Sequence, residues 1–156
     1  MGEKGTTGSL DGSELRIAIV VSRYNQEIGQ ALLDGALRAA ADHRVREAEV
    51  YWVPGAVEIP LAAQALAESA RVDAIVCLGC VIKGETAHFE HVAAQCAAGV
   101  SQVALETGTP CAFGVLTTYT VEQARVRSGP NDNKGAEAVE TAIEMANLLR
   151  ELRGRT

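Results

Sequence analysis

Four times along the chain a short, continuously apolar run gives way to a stretch whose apolar positions recur every three or four residues. Leu15 to Val21 (LRIAIVV) is apolar except at Arg16 and mostly β-branched, the pattern of a strand covered on both faces. After Ser22-Arg23-Tyr24-Asn25, the residues Ile28, Ala31, Leu32, Gly35, Ala36 and Ala39 recur at helical intervals up to about His43, with Asn25 as the expected amino-terminal cap. Glu49 to Val53 reads as a second strand, stopped by Pro54-Gly55. Ala56 to Ala70 reads as a second helix that tolerates Pro60 in its first turn. Asp73 to about Ile82 is the third strand, and Lys83 to Thr86 a short loop. A helix from roughly Ala87 to Leu105 follows, with Phe89, Val92, Cys96, Val100 and Val103 as its apolar stripe. Cys111 to Leu116 is a fourth buried strand. Thr120 with Gln123 three positions later forms a capping box for a short helix to about Arg127, and Ala136 to about Leu152 is a last amphipathic helix.

Strand and helix alternating in this way predict an α/β fold of one domain, with a four-stranded parallel sheet between two helical layers joined by right-handed crossovers. Residues 1–13, rich in Gly, Ser and Thr and without periodicity, are expected to form a flexible arm ahead of a folded unit over 14–156, and the tail from Arg153 to Thr156 is expected to fray. Two open sheet edges make self-assembly a reasonable expectation.

Composition narrows the function. The chain has 156 residues, 47% hydrophobic and 22% charged, enough for one core without metal or disulfide support. Net charge is −6 and Lys and Arg never run longer than a pair, so neither a nucleic-acid backbone nor an anionic membrane has a docking surface. No apolar run approaches the roughly 20 residues of a membrane span, and the first residues carry no hydrophobic signal core, which together predict a cytoplasmic protein. Cys77, Cys80, Cys96 and Cys111 all lie inside apolar segments and read as buried reduced thiols. Cys77 and Cys80, three positions apart on a strand, should face opposite sides of the sheet, and no second pair completes a metal site.

The candidate chemistry sits where strands end. The stretch CLGCVIKGETAHFEH, Cys77 to His91, delivers a buried strand into a helix amino terminus. Free N–H groups and the positive end of the helix dipole collect at such a junction, the usual ligand site of open α/β sheets. Gly84, Glu85 and Thr86 are therefore candidates for an anion pocket, and His88, in the first turn beside it, is a candidate proton acceptor. Tyr24 ends the first strand where a planar ligand could stack. Glu58 lies in the first turn of the second helix, where dipole stabilisation alone would explain it, and the helix dipole likewise accounts for Arg125 or Arg127 at the end of the short helix. The four-residue loop is too short for a Walker loop, and no GxGxxG follows the first strand.

The segments Ser22-Arg23-Tyr24-Asn25, PGAVEIP (54–60), LGCVIKGETAHFEHV (78–92), FGVLTT (113–118), EQARVRSG (122–129) and Asn133-Lys134-Gly135 resemble, in order and spacing, the 6,7-dimethyl-8-ribityllumazine synthase family of riboflavin biosynthesis. The resemblance spans residues 15 to about 152 and implies a flavodoxin-like three-layer fold. The implied activity is a transferase condensing 5-amino-6-(D-ribitylamino)uracil with 3,4-dihydroxy-2-butanone 4-phosphate, with loss of phosphate and water and without metal or other cofactor. A flavin-binding or cage-forming homologue without catalysis is the alternative. Carried over by position, Tyr24 corresponds to the ring that stacks on the pyrimidine, usually Phe or Trp, with Asn25 beside it in the substrate-binding set. Ala56, Val57 and Glu58 correspond to the part that holds the ribityl hydroxyls, and Val81, Ile82 and Lys83 to the strand end along the pyrimidine. Gly84, Glu85 and Thr86 correspond to the phosphate cradle, His88 to the proton acceptor and Arg127 to the phosphate-binding arginine. Phe113 and Lys134 correspond to residues supplied by a neighbouring subunit, which implies a pentamer or multiples of pentamers. Departures are the tyrosine at 24, Val126 where some members carry an acid, and the loop Pro130-Asn131-Asp132, in a region tied to assembly size.

Overall fold

Four parallel strands form one sheet in the computed structural model, which describes residues 4–154. They are β1 (Arg16–Ser22), β2 (Glu47–Val53), β3 (Ala74–Ile82) and β4 (Cys111–Thr118), in the order β2-β1-β3-β4. The helices are α1 (Gln26–Asp42), α2 (Ile59–Glu68), α3 (His88–Thr107), α4 (Val121–Val126) and α5 (Lys134–Leu152). This is the three-layer, flavodoxin-like α/β architecture that alternation of the two periods implies.

Strand alternation divides the core in two. Ile17, Ile19 and Val21 of β1 and Val76, Leu78 and Cys80 of β3 pack with α1 and α5, whereas Ala18, Val20, Ile75, Cys77 and Val115 pack with α2 and α3. Cys77 and Cys80 thus sit on opposite faces, as their odd spacing requires. All four cysteines are free thiols, three of them buried and Cys111 partly so.

Three elements begin differently from the periodicity, the first being β2, which opens at Glu47, two residues ahead of the expected Glu49. The segment expected to be helical from Ala56 opens as a 3-10 turn over Ala56–Glu58, and α2 proper starts at Ile59 with Pro60 in its first turn, so Glu58 precedes the helix instead of lying within it. The last helix starts at Lys134, two residues early, because the Asn133 side chain accepts hydrogen bonds from the amides of Gly135 and Ala136 at 2.9 and 3.1 Å. Its carboxamide donates to the Ala31 carbonyl of α1 at 3.1 Å. Gly35 and Gly135 permit this approach: a Cβ on the first would strike the Asn133 side chain, and one on the second would strike the Leu32 carbonyl.

Ahead of β1, the Asn147 amide donates to the Ser9 and Asp11 carbonyls at 2.7 and 3.0 Å, and the Gly12 amide donates to the His43 carbonyl at 2.8 Å. Of the expected arm and fraying tail, residues 1–3 and 155–156 lie outside the described residues. No described helix is long and apolar enough to cross a membrane.

Candidate functional site

The chain leaves β1 towards β2 on one side and later places β3 and β4 on the other, so the sheet's topological switch point lies between the carboxyl ends of β1 and β3. Crossovers depart there in opposite directions and leave a crevice, the place where open α/β sheets take ligands. Three segments converge on it: Tyr24 after β1, Pro54 to Glu58 after β2, and Cys80 to Val92 across the end of β3 and the start of α3. Together they line a cleft of about 620 Å³.

Tyr24, Ala56, Val57, Glu58, Val81, Ile82, Gly84, Thr86 and His88 all line this cleft. Tyr24 is 74% exposed, a ring presented to solvent and not packed into the rim. Ala56 is buried while Val57 and Glu58 are exposed, so the 3-10 turn offers one anchoring and two open side chains. Around Gly84 nothing lies within 4 Å of where a Cβ would stand. Among the described residues the amides of Gly84, Glu85 and Thr86 have no hydrogen-bond acceptor, and the next amide with one, that of His88, donates to Thr86 Oγ1 at 3.3 Å. Unfilled N–H groups ahead of a twenty-residue helix are what an oxyanion requires.

Three expected members stand off the lining. The Asn25 side chain does not cap α1: the residue is left-handed (φ 60, ψ 51), makes no side-chain cap, and donates its amide to the Cys80 carbonyl at 2.9 Å. Lys83 donates its backbone amide to the Thr118 carbonyl at 2.9 Å, and its ammonium stands 5.8 Å from the Tyr119 ring centroid, a cation–π contact that directs it towards β4. Glu85 is exposed in the loop.

Phe113, Arg127 and Lys134 are brought together, but elsewhere. They line a second cleft of about 380 Å³ between β4 and the start of α5, and the two clefts share no lining residue. Phe113 is 43% exposed on the open edge strand. Arg127 caps the end of α4 and donates through Nη1 to the Gln123 carbonyl at 3.0 Å. Lys134 Nζ pairs with Glu137 at 3.2 Å. The capping box over Thr120 and Gln123 is present in full and fixes the helix that carries Arg127.

Sequence reasoning passed over Cys80, Phe89 and Val92 in the first cleft and Thr117, Glu137 and Thr141 in the second. Phe89 and Val92 belong to the apolar stripe of α3, which reads as core. Both are only partly buried against the core and also line the opening. Among the described residues no group of three or more His, Cys, Asp or Glu side chains could hold a metal ion. The family model for 6,7-dimethyl-8-ribityllumazine synthase matches residues 14–150 of the chain.

Proposed function

Because the chain belongs to the 6,7-dimethyl-8-ribityllumazine synthase family, a transferase family of riboflavin biosynthesis, we propose that it condenses 5-amino-6-(D-ribitylamino)uracil with 3,4-dihydroxy-2-butanone 4-phosphate. The observation that carries this reading is the cleft at the switch point, where an exposed ring, a carboxylate, unfilled backbone amides and a histidine face one space. Residues 14–156 are the catalytic unit, with 1–13 outside it, and the protein works in the cytoplasm.

In this reading Tyr24 stacks on the pyrimidine, whose other edge runs along Val81 and Ile82. Glu58 accepts hydrogen bonds from ribityl hydroxyls beside Ala56 and Val57. The amides of Gly84, Glu85 and Thr86 hold the phosphate of the four-carbon ketone at the start of α3. The uracil amine attacks the ketone carbonyl and water leaves as the imine forms. His88 then takes the proton whose removal lets the phosphate depart, and ring closure with dehydration gives the lumazine. Holding both reactants together and moving protons suffices, since neither needs an external electron sink.

Arg127, Phe113 and Lys134 enter from a second copy of the chain. Within one copy they line a separate cleft on the open edge of β4, while the phosphate cradle lacks a guanidinium among its own lining residues. A pentamer, or an assembly of pentamers, brings the two halves together.

Supplying both substrates to the purified protein should give fluorescent lumazine with release of one phosphate per product. Tight riboflavin binding without product would instead identify a binding homologue.

A further inference from the structure

The ladder between β1 and β3 ends before the cleft does. These strands pair from Ile17–Ala74 to Val21–Leu78, whereas β3 continues along β4 to the pair Ile82–Thr118. Ser22 therefore leaves β3 two residues short of Cys80, where the cleft lining begins. Opposite it stands Gly79, at which a Cβ would collide with Ser22 Oγ, and that hydroxyl, in a residue 1% exposed, has no hydrogen-bond partner among the described residues. The seam at the floor of the crevice thus has neither ladder pairs nor a side-chain bond from Ser22.

Asn25 spans that seam. Its carboxamide donates to the Cys80 carbonyl at 2.9 Å across 55 positions of sequence. Its left-handed backbone, which asparagine tolerates better than most residues, aims the side chain back across the strand ends. Its own carbonyl accepts from the amides of Ile28 and Gly29, both at 3.1 Å, and so starts α1. One residue joins the loop that presents Tyr24, the first turn of α1 and the segment of β3 that lines the cleft.

We propose that Asn25 is a positioning residue whose carboxamide sets the distance between the Tyr24 ring and the wall formed by Cys80, Val81 and Ile82, and thereby the width of the slot for a planar ring. The proposal rests on the reading of this cleft as the pyrimidine site. Asn25 itself is off the cleft lining and its donor is engaged by protein, so it acts through geometry. A slot for a flat ring needs its walls at van der Waals separation, and a misplacement of about 1 Å is enough to weaken binding.

The test compares Asn25→Gly with Asn25→Asp. Glycine keeps the left-handed backbone without strain and removes the donor, while aspartate keeps shape and acceptor but sets a carboxylate against the Cys80 carbonyl. Positioning predicts that the KM for the uracil rises about fivefold with glycine and further with aspartate, while the KM for the butanone phosphate stays within about twofold in both. A milder effect of aspartate than of glycine would mean that Asn25 touches substrate through its oxygen, and would overturn the proposal. So would an unchanged KM in both folded variants. Amide hydrogen exchange over residues 23–25 and 80–82 needs no turnover: faster exchange in both variants supports the tie and unchanged exchange overturns it. A wild-type protein without activity would sink the functional reading and leave exchange to judge Asn25.

Discussion

Burial pushes the Cys80, Cys96 and Cys111 thiols up to about 11 and raises Cys77 well above its usual range. A thiol held protonated in an apolar core is a poor nucleophile, so native protein near pH 8 should react with a thiol reagent far more slowly than the same protein in denaturant, which should yield all four groups. The sign of the alkaline effect follows. The folded state keeps these protons longer than the unfolded one, whose thiols titrate near the ordinary value of 9.0, so the stability they contribute is intact below about pH 9 and declines from there towards 11. Urea midpoints that stay level between pH 9 and 11 would contradict this. At the same scale the proposed roles of His88 and Arg127 separate kinetically. His88→Ala should lower kcat by about a hundredfold with small changes in KM, because it removes a proton acceptor and leaves the cradle. Arg127→Ala should raise the KM for the butanone phosphate about tenfold or more and the KM for the uracil little, since a charge-assisted bond to an oxyanion is lost. Equal effects on both substrates would remove Arg127 from the phosphate.

At the scale of elements, α4 and α5, the helices next to Arg127 and Lys134, are fixed at their starts by side-chain caps. Thr120 accepts from the Gln123 amide at 3.1 Å while the Gln123 side chain accepts from the amides of Tyr119 and Thr120. Asn133 caps α5 and also ties it to α1 and to the carbonyls of Ser128 and Gly129. Both residues were legible as local signals, one as a capping box and the other as part of a dense turn. The consequences differ because only Asn133 bonds at long range. Thr120→Ala removes one cap and should cost about 1 kcal/mol, whereas Asn133→Ala also orphans carbonyls between packed helices and should cost about 2 to 3 kcal/mol. Denaturant unfolding of the two variants checks the ranking, and equal losses would refute it. Asn25 does stand at the N-cap position of α1, as its residue type suggests, but its side chain reaches β3 instead of the helix amides, and no local pattern tells a cap from such a strap.

On the scale of the whole molecule, one copy holds two clefts that share no lining residue. If two copies complete each site, a His88→Ala chain and an Arg127→Ala chain, each nearly inactive, should regain activity when unfolded and refolded together. Random mixing in equal amounts leaves about a quarter of the sites with both halves intact, so recovery to about a quarter of wild-type turnover is expected. No recovery above the sum of the separate variants would place both residues in one chain's site. Light scattering of the wild type gives the assembly size directly.

Periodicity by itself determined the layers and the parallel sheet, since runs apolar on both faces can be buried only between helices, and it placed Cys77 and Cys80 on opposite faces by parity. The junction at Lys83 to His88 was likewise visible as a strand entering a helix, because backbone amides at such a start are unfilled whatever surrounds them. Tertiary structure alone decided how distant segments meet. It put Tyr24, the turn at 56–58 and the end of β3 around one crevice, gathered Phe113, Arg127 and Lys134 around another, and aimed Asn25 at Cys80. Those arrangements depend on strand order and crossover direction, which join residues well separated along the chain, Asn25 and Cys80 by 55 positions, beyond the reach of any local pattern.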